Sequence, residues 1–149
     1  MKSNICLEVS DTIHAPLSKV WEALTTPEII KQYFFNTDTY TDWQPGHPII
    51  FKGEWQGKHY EDKGVIIDFE KDKLIRYKYW SSISGIEDKP ENYVTITYEV
   101  EGKDNDVTLT VTQENIPDEK MKEHSEENWK KVLHGLKKML EVQVKSPVG

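Results

Sequence analysis

Asn128 to Glu141 reads NWKKVLHGLKKMLE. With successive residues turned by about 100°, Met139, Val132, Leu136, Trp129, Leu140 and Leu133 fall in that order inside an arc of about 120°. Lys130, Lys131, His134, Lys137 and Lys138 lie away from the centre of that arc. The pattern extends back to Pro117-Asp118-Glu119, a helix-start signal, and forward to Val144 without an internal proline. Acidic residues crowd its start and lysines its second half, the sense that favours the helix macrodipole. An apolar arc this wide must be buried against another layer.

That layer is upstream. From Thr37 to Asn115 the apolar residues recur with period two, broken by turn residues. Pro45-Gly46-His47-Pro48, Gln56-Gly57-Lys58, Lys71-Asp72-Lys73 and Gly102-Lys103-Asp104-Asn105 mark the turns. One parity predicts a covered face of Ile49, Phe51, Gly53 and Trp55, then Val65, Ile67 and Phe69, then Ile75, Tyr77 and Tyr79. Val94, Ile96, Tyr98 and Val100 continue it, and Val107, Leu109 and Val111 complete it. The other parity carries Lys52, Glu54, Asp68, Arg76, Lys78, Thr95, Thr97 and Glu99, a wet face of the kind antiparallel meanders keep.

Ahead of these, Ile5, Leu7, Val9 and Ile13 alternate with polar residues as a first strand. Pro16 and Pro27 open two short helices, one with Leu17, Val20, Trp21 and Leu24, the other with Ile29, Ile30, Tyr33 and Phe34. The expected fold is α+β. A curved antiparallel sheet of about six or seven strands, with two short helices after the first, grips a long C-terminal helix. One domain over 1–149 is expected, ordered over about 5–144, with 145–149 a frayed tail.

Composition narrows the function. Acidic residues number 26 against 19 basic ones, for a net charge of −7, and Arg76 is the only arginine. That balance argues against a nucleic-acid partner, which needs basic surface and guanidinium forks. The single Cys6 excludes an internal disulfide and any multi-cysteine metal site. No run nears the ~18 apolar residues of a membrane span, and Met1-Lys2-Ser3-Asn4 leads straight into a strand, so a cytoplasmic location is expected. No metal and no cofactor is expected: His14, His47, His59, His124 and His134 form no ligand spacing, and no phosphate-binding glycine loop occurs.

The positive signal is a surplus of rings: 5 Trp, 7 Tyr and 4 Phe. Phe51, Trp55, Tyr77, Tyr79, Tyr98 and Trp129 are expected between sheet and helix, with Leu133 beside Trp129, and Tyr33, Phe34 and Phe35 near one end. Tyrosine and tryptophan need polar partners when buried, so a dry core favours leucine and isoleucine instead. Two readings stay open: the rings line a small-molecule pocket with a few polar handles, or they fill the space. The ligand-binding set on the first reading is Tyr33, Phe35, Phe51, Trp55, Tyr77, Tyr79, Tyr98, Trp129 and Leu133. Glu54, His59 and Tyr60 flank one hairpin and are the candidates for acid–base chemistry, against a plain solvated hairpin.

IHAPLSKVWEALTTPEIIKQYF (Ile13 to Phe34), GVIIDFEKDKLIRYKYW (Gly64 to Trp80) and NWKKVLHGLKKMLE together resemble the SRPBCC (START/birch-allergen-like, helix-grip) superfamily. More narrowly they resemble the branch related to the C-terminal domain of the heat-shock-protein-90 ATPase activator. The Ala15-Pro16 pair, Val20-Trp21, the Leu24-Thr25-x-Pro27-Glu28 run and the Trp129 helix carry the match, over about residues 5–142. The resemblance implies a cavity between long helix and sheet for a small hydrophobic molecule, or a chaperone ATPase as protein partner. Hydrolases and cyclases of the same superfamily make a third possibility. No shared catalytic set carries over to numbered positions here.

Overall fold

The computed structural model describes residues 3–82 and 85–145, and for Trp55 and residues 143–145 the backbone alone. Of the expected frayed tail over 145–149, Lys145 is the last residue of the C-terminal helix and 146–149 lie outside the described residues. In chain order the elements are β1 (Leu7–Ile13), α1 (Leu17–Thr25), α2 (Pro27–Tyr33), β2 (Asp38–Tyr40), β3 (Pro48–Trp55) and β4 (Lys58–Glu70). Then follow β5 (Leu74–Trp80), a single 3-10 turn at Pro90–Asn92, β6 (Val94–Lys103), β7 (Asp106–Glu114) and α3 (Glu119–Lys145). The seven strands form one sheet, β1-β7-β6-β5-β4-β3-β2, with every neighbouring pair antiparallel. It is the α+β helix-grip arrangement that the periodicities predict.

Local chemistry explains the joints. The Asp118 carboxylate accepts the amide of Met121 at 2.8 Å and caps the start of α3. Pro27 stands at the first position of α2, where its missing N–H costs nothing. Gln56 and Gly57 both take positive φ, 51° and 80°, which gives the β3–β4 hairpin a turn matched to the twist of its strands. Gly64 is required by contact: a Cβ there would lie 1.7 Å from the Lys78 carbonyl oxygen of β5.

α3 turns Trp129, Val132, Leu133, Leu136 and Leu140 onto the sheet, where all are buried. Lys137 does not simply point to solvent. It donates to the Thr12 carbonyl and pairs with Glu141 at 2.9 Å, while Glu141 accepts the His14 amide at 2.9 Å. These contacts tie the end of the helix to β1.

The parity expected for β4 fails. Ile66 is buried and Val65 is 42 % exposed, the reverse of the simple alternation. The register shifts between Ile66 and Asp68, so Ile67 is one residue too many, and the bulge returns Phe69 to the core. The cause is a change of partner: past Val65, β4 leaves β3 and pairs with the preceding loop, Gly46 N–H donating to the Ile66 carbonyl at 2.8 Å and Ile66 N–H to His47 at 2.9 Å. Phe69 then meets Trp21 and Trp43, ring centroids 5.5 and 5.9 Å away. Thr97, expected wet, is 3 % exposed because the Arg76 side chain lies across it, donating from Nε at 3.1 Å and from its terminal nitrogen to Asp68 at 3.1 Å.

Candidate functional site

The inner face of the sheet beneath α3 is divided. On β1, β6 and β7 it is aliphatic: Leu7, Val9, Val100, Val107, Leu109 and Val111, closed by Leu136 and Leu140. On β3, β5 and the middle of β6 rings stand among Ile49, Ile75 and Ile96, and they form a connected net. Phe51 meets Tyr77 at 5.9 Å and Tyr79 at 5.6 Å, Tyr77 meets Tyr98 at 5.9 Å, and Tyr98 meets Trp129 of α3 at 5.8 Å. Phe34, just past α2, closes the circuit between Phe51 at 6.3 Å and Trp129 at 5.8 Å. Edge-to-face contacts dominate, as ring quadrupoles favour.

Each polar handle in this net can be followed. Tyr77 and Tyr98 share a hydrogen bond of 3.1 Å between their hydroxyls. Tyr33 donates to the Ala23 carbonyl at 2.8 Å, Trp43 to Thr25 at 3.1 Å, and Trp129 to the Gln113 side chain at 2.8 Å. Tyr79 donates to the buried Asp62, whose other oxygen accepts the Ser82 amide at 2.9 Å and the Ser82 hydroxyl at 3.3 Å. Burial pushes the phenols of Tyr33, Tyr77 and Tyr79 well above their ordinary range, and that of Tyr98 up to about 12. Nearby phenols add to the shift of Tyr77, and Asp62 to that of Tyr79. All four are neutral hydroxyls at physiological pH.

Among the described residues, one buried side-chain group has no partner. The Thr39 hydroxyl, on β2 opposite Phe51, is buried and makes no hydrogen bond. It borders a gap of about 20 Å³ walled by Tyr33, Phe34, Trp43, Phe51, Tyr77 and Tyr98, together with Leu24, Ile30 and Ile49. That volume suits about one water molecule, against roughly 300–1,000 Å³ for a usual ligand pocket. The rings therefore nearly fill the space in this conformation.

Of the residues expected to bind a ligand, Tyr33, Phe51, Tyr77 and Tyr98 line the gap. Tyr79 and Trp129 belong to the ring net behind it, and Leu133 is buried on α3. Phe35 is 51 % exposed, and the Trp55 side chain lies outside the described residues. Sequence reasoning passed over Thr39 and Trp43, the first a lone threonine in a three-residue strand and the second hidden in a turn.

The hairpin candidates lie elsewhere. Glu54 and His59 pair across β3 and β4 and border an open polar groove of about 430 Å³ on the outside of the domain. Tyr60 crosses Gly53 and bonds the Thr37 hydroxyl at 2.6 Å. No hydrogen bond joins Glu54 to His59 among the described residues, nor do these hold a cluster of three metal-ligating side chains. Among the described residues no helix is long and apolar enough to cross a membrane.

Comparison with known proteins places this architecture. A protein of Cytophaga hutchinsonii, solved in solution, is 44 % identical with a TM-score of 0.82, over 98 % of this chain and 100 % of its own. The Aha1 dimer of Colwellia psychrerythraea shares the fold at 20 % identity and a TM-score of 0.73, over 93 % of this chain and 97 % of its own. An HSP90 activator from Plasmodium falciparum does so at 19 % identity and a TM-score of 0.72, over 93 % and 97 %. No curated protein sequence matches the chain. The family model described as "Activator of Hsp90 ATPase homolog 1-like protein" matches residues 14–141, from just past β1 into the last turns of α3, and the chain belongs to that family.

Proposed function

We propose that this chain is a cytoplasmic small-molecule-binding protein whose site is the aromatic interior between the sheet and α3. The observation that carries the reading is the unpaired Thr39 hydroxyl in a wall of rings. A buried hydroxyl without a partner costs about 1–3 kcal/mol, and valine would fill the same space without that cost. A ligand atom that meets the hydroxyl restores its bond. With only about 20 Å³ free, binding requires a ring to move, and the conformation described is the closed form of the site. Native mass spectrometry of freshly purified protein, followed by a hydrophobic-fragment screen read by amide chemical shifts, tests this. A co-purifying mass, or shifts clustered on Phe51, Tyr98 and Trp129, is expected. A clean apo mass with no shifts at millimolar fragment overturns it.

The family match favours a second reading, a regulator of a chaperone ATPase. The net charge of −7 suits a basic patch on such a partner. Its test is the ATPase rate of an HSP90-type chaperone with and without the purified protein. An unchanged rate removes it.

A further inference from the structure

We propose that Phe34 holds the place of a ligand's ring, and that the ligand is a small uncharged aromatic alcohol or phenol whose hydroxyl meets Thr39. The inference rests on the small-molecule reading above and names the ligand class and the ring that yields.

The slot and its occupant differ in how they are held. Phe51 is fixed in the middle of β3 and Trp129 on α3, whose indole is anchored by Gln113. Phe34 lies between them, stacked on Phe51 with planes 15° apart and edge-on to Trp129 at 76°. Yet Phe34 belongs to no helix or strand. It follows α2 with φ −114° and ψ 66°, and the next two residues, Phe35 and Asn36, take φ of 50° and 56°. Phe35 in the left-handed region holds strain in this turn. The Phe34 backbone is tied, its N–H donating to Ile30 at 2.9 Å and its carbonyl accepting from Thr37 at 3.0 Å, so the part that yields is the Phe34 ring. The neighbouring Phe35 ring already stands half in water, so the surroundings of the turn are open to solvent.

The chemistry of the walls sets the ligand class. Among the described residues no charged side chain lines the gap. The nearby buried carboxylate, Asp62, already accepts from the Tyr79 hydroxyl and from the Ser82 amide and hydroxyl. An ammonium or carboxylate ligand would be desolvated against walls that offer it no charged partner in contact. A neutral ring fits the aromatic slot vacated by Phe34. One hydroxyl satisfies Thr39, which sits opposite Phe51 in the β2–β3 register.

Benzyl alcohol and toluene share the ring and differ in the hydroxyl, which makes them the test pair. Each is titrated into the wild-type chain and into Thr39→Val while backbone amide shifts are followed. Both probes are expected to move the amides of residues 33–37, Phe51 and Trp129, with benzyl alcohol binding wild type about tenfold more tightly, the effect of one hydrogen bond. Thr39→Val should bring the two probes within about twofold of each other. A preference for benzyl alcohol that survives Thr39→Val overturns the anchor. Shifts at Phe51, Tyr77 and Tyr98 that leave residues 33–37 unmoved overturn the role of Phe34, while interior binding stands. Silence from both probes overturns this inference alone if a small molecule co-purifies, and takes the small-molecule reading with it if none does.

Discussion

The two halves of the inner face obey different rules. Around β1, β6 and β7 the side chains are aliphatic, and α3 closes over them with Leu136 and Leu140. Around β2 to β5 rings join Ile49, Ile66 and Ile75, their hydroxyls pairing with one another, with backbone or with Asp62, beside a threonine whose hydroxyl pairs with nothing among the described residues. Apolar burial dominates the first half, where Gln113 of β7 is a buried polar side chain bonded to Trp129. The second gives up part of that gain to keep polar atoms inside. The difference teaches where stability and where binding should be sought in one continuous core.

The sharpest way to break the comparison is Leu136→Ala, at a side chain with 0 % exposure in the aliphatic half. Chemical denaturation should report a loss of about 2–5 kcal/mol, with the response to any interior ligand unchanged once folding is complete. A loss of ligand response in the folded variant would mean that the halves are coupled.

Tyr98→Phe is the next largest. It removes one partner of the Tyr77–Tyr98 bond and leaves the buried Tyr77 hydroxyl unpaired, at a cost of about 1–3 kcal/mol near neutral pH. The pH dependence adds a signature. The Tyr98 phenol is raised from its ordinary 10.0 to about 12 by burial. The unfolded chain then loses this proton before the folded one, so stability is fully present below 10.0 and falls as pH rises to about 12. Urea unfolding at a series of alkaline pH values should show that decline in the wild type and a shallower one in Tyr98→Phe. Equal slopes would assign the alkaline loss to the other buried phenols.

What could be read from the chain in advance follows the same division. α3 was legible because its apolar arc is continuous over many turns, and Leu133, Leu136 and Leu140 are buried as that arc requires. Phe51 on β3, Tyr77 and Tyr79 on β5 and Tyr98 on β6 were legible because these rings keep to the inward parity of their strands. Alternation broke at Ile67, since a bulge depends on which partner a strand meets, and β4 changes partner at Ile66. Thr97 was misplaced because its cover comes from another strand's arginine. In Tyr33-Phe34-Phe35 the residues leave the helix through left-handed backbone, so no period tells which ring turns inward. Thr39 was invisible for a different reason: an unpaired hydroxyl is a property of its surroundings, not of its position in a run.

Thr39→Val carries the smallest expected effect, and it runs against the usual direction of core substitution. The side chain is 4 % exposed and its hydroxyl has no partner, so a methyl of the same shape removes a buried polar group and adds apolar contact. Without ligand the variant should be more stable than wild type by about 1 kcal/mol in urea denaturation. Most substitutions at a buried position destabilise, so a gain here marks a residue that the fold itself does not need. A loss of stability instead would mean that the hydroxyl is satisfied in solution, by a water in the gap beside it, and would make this wall an ordinary part of the core.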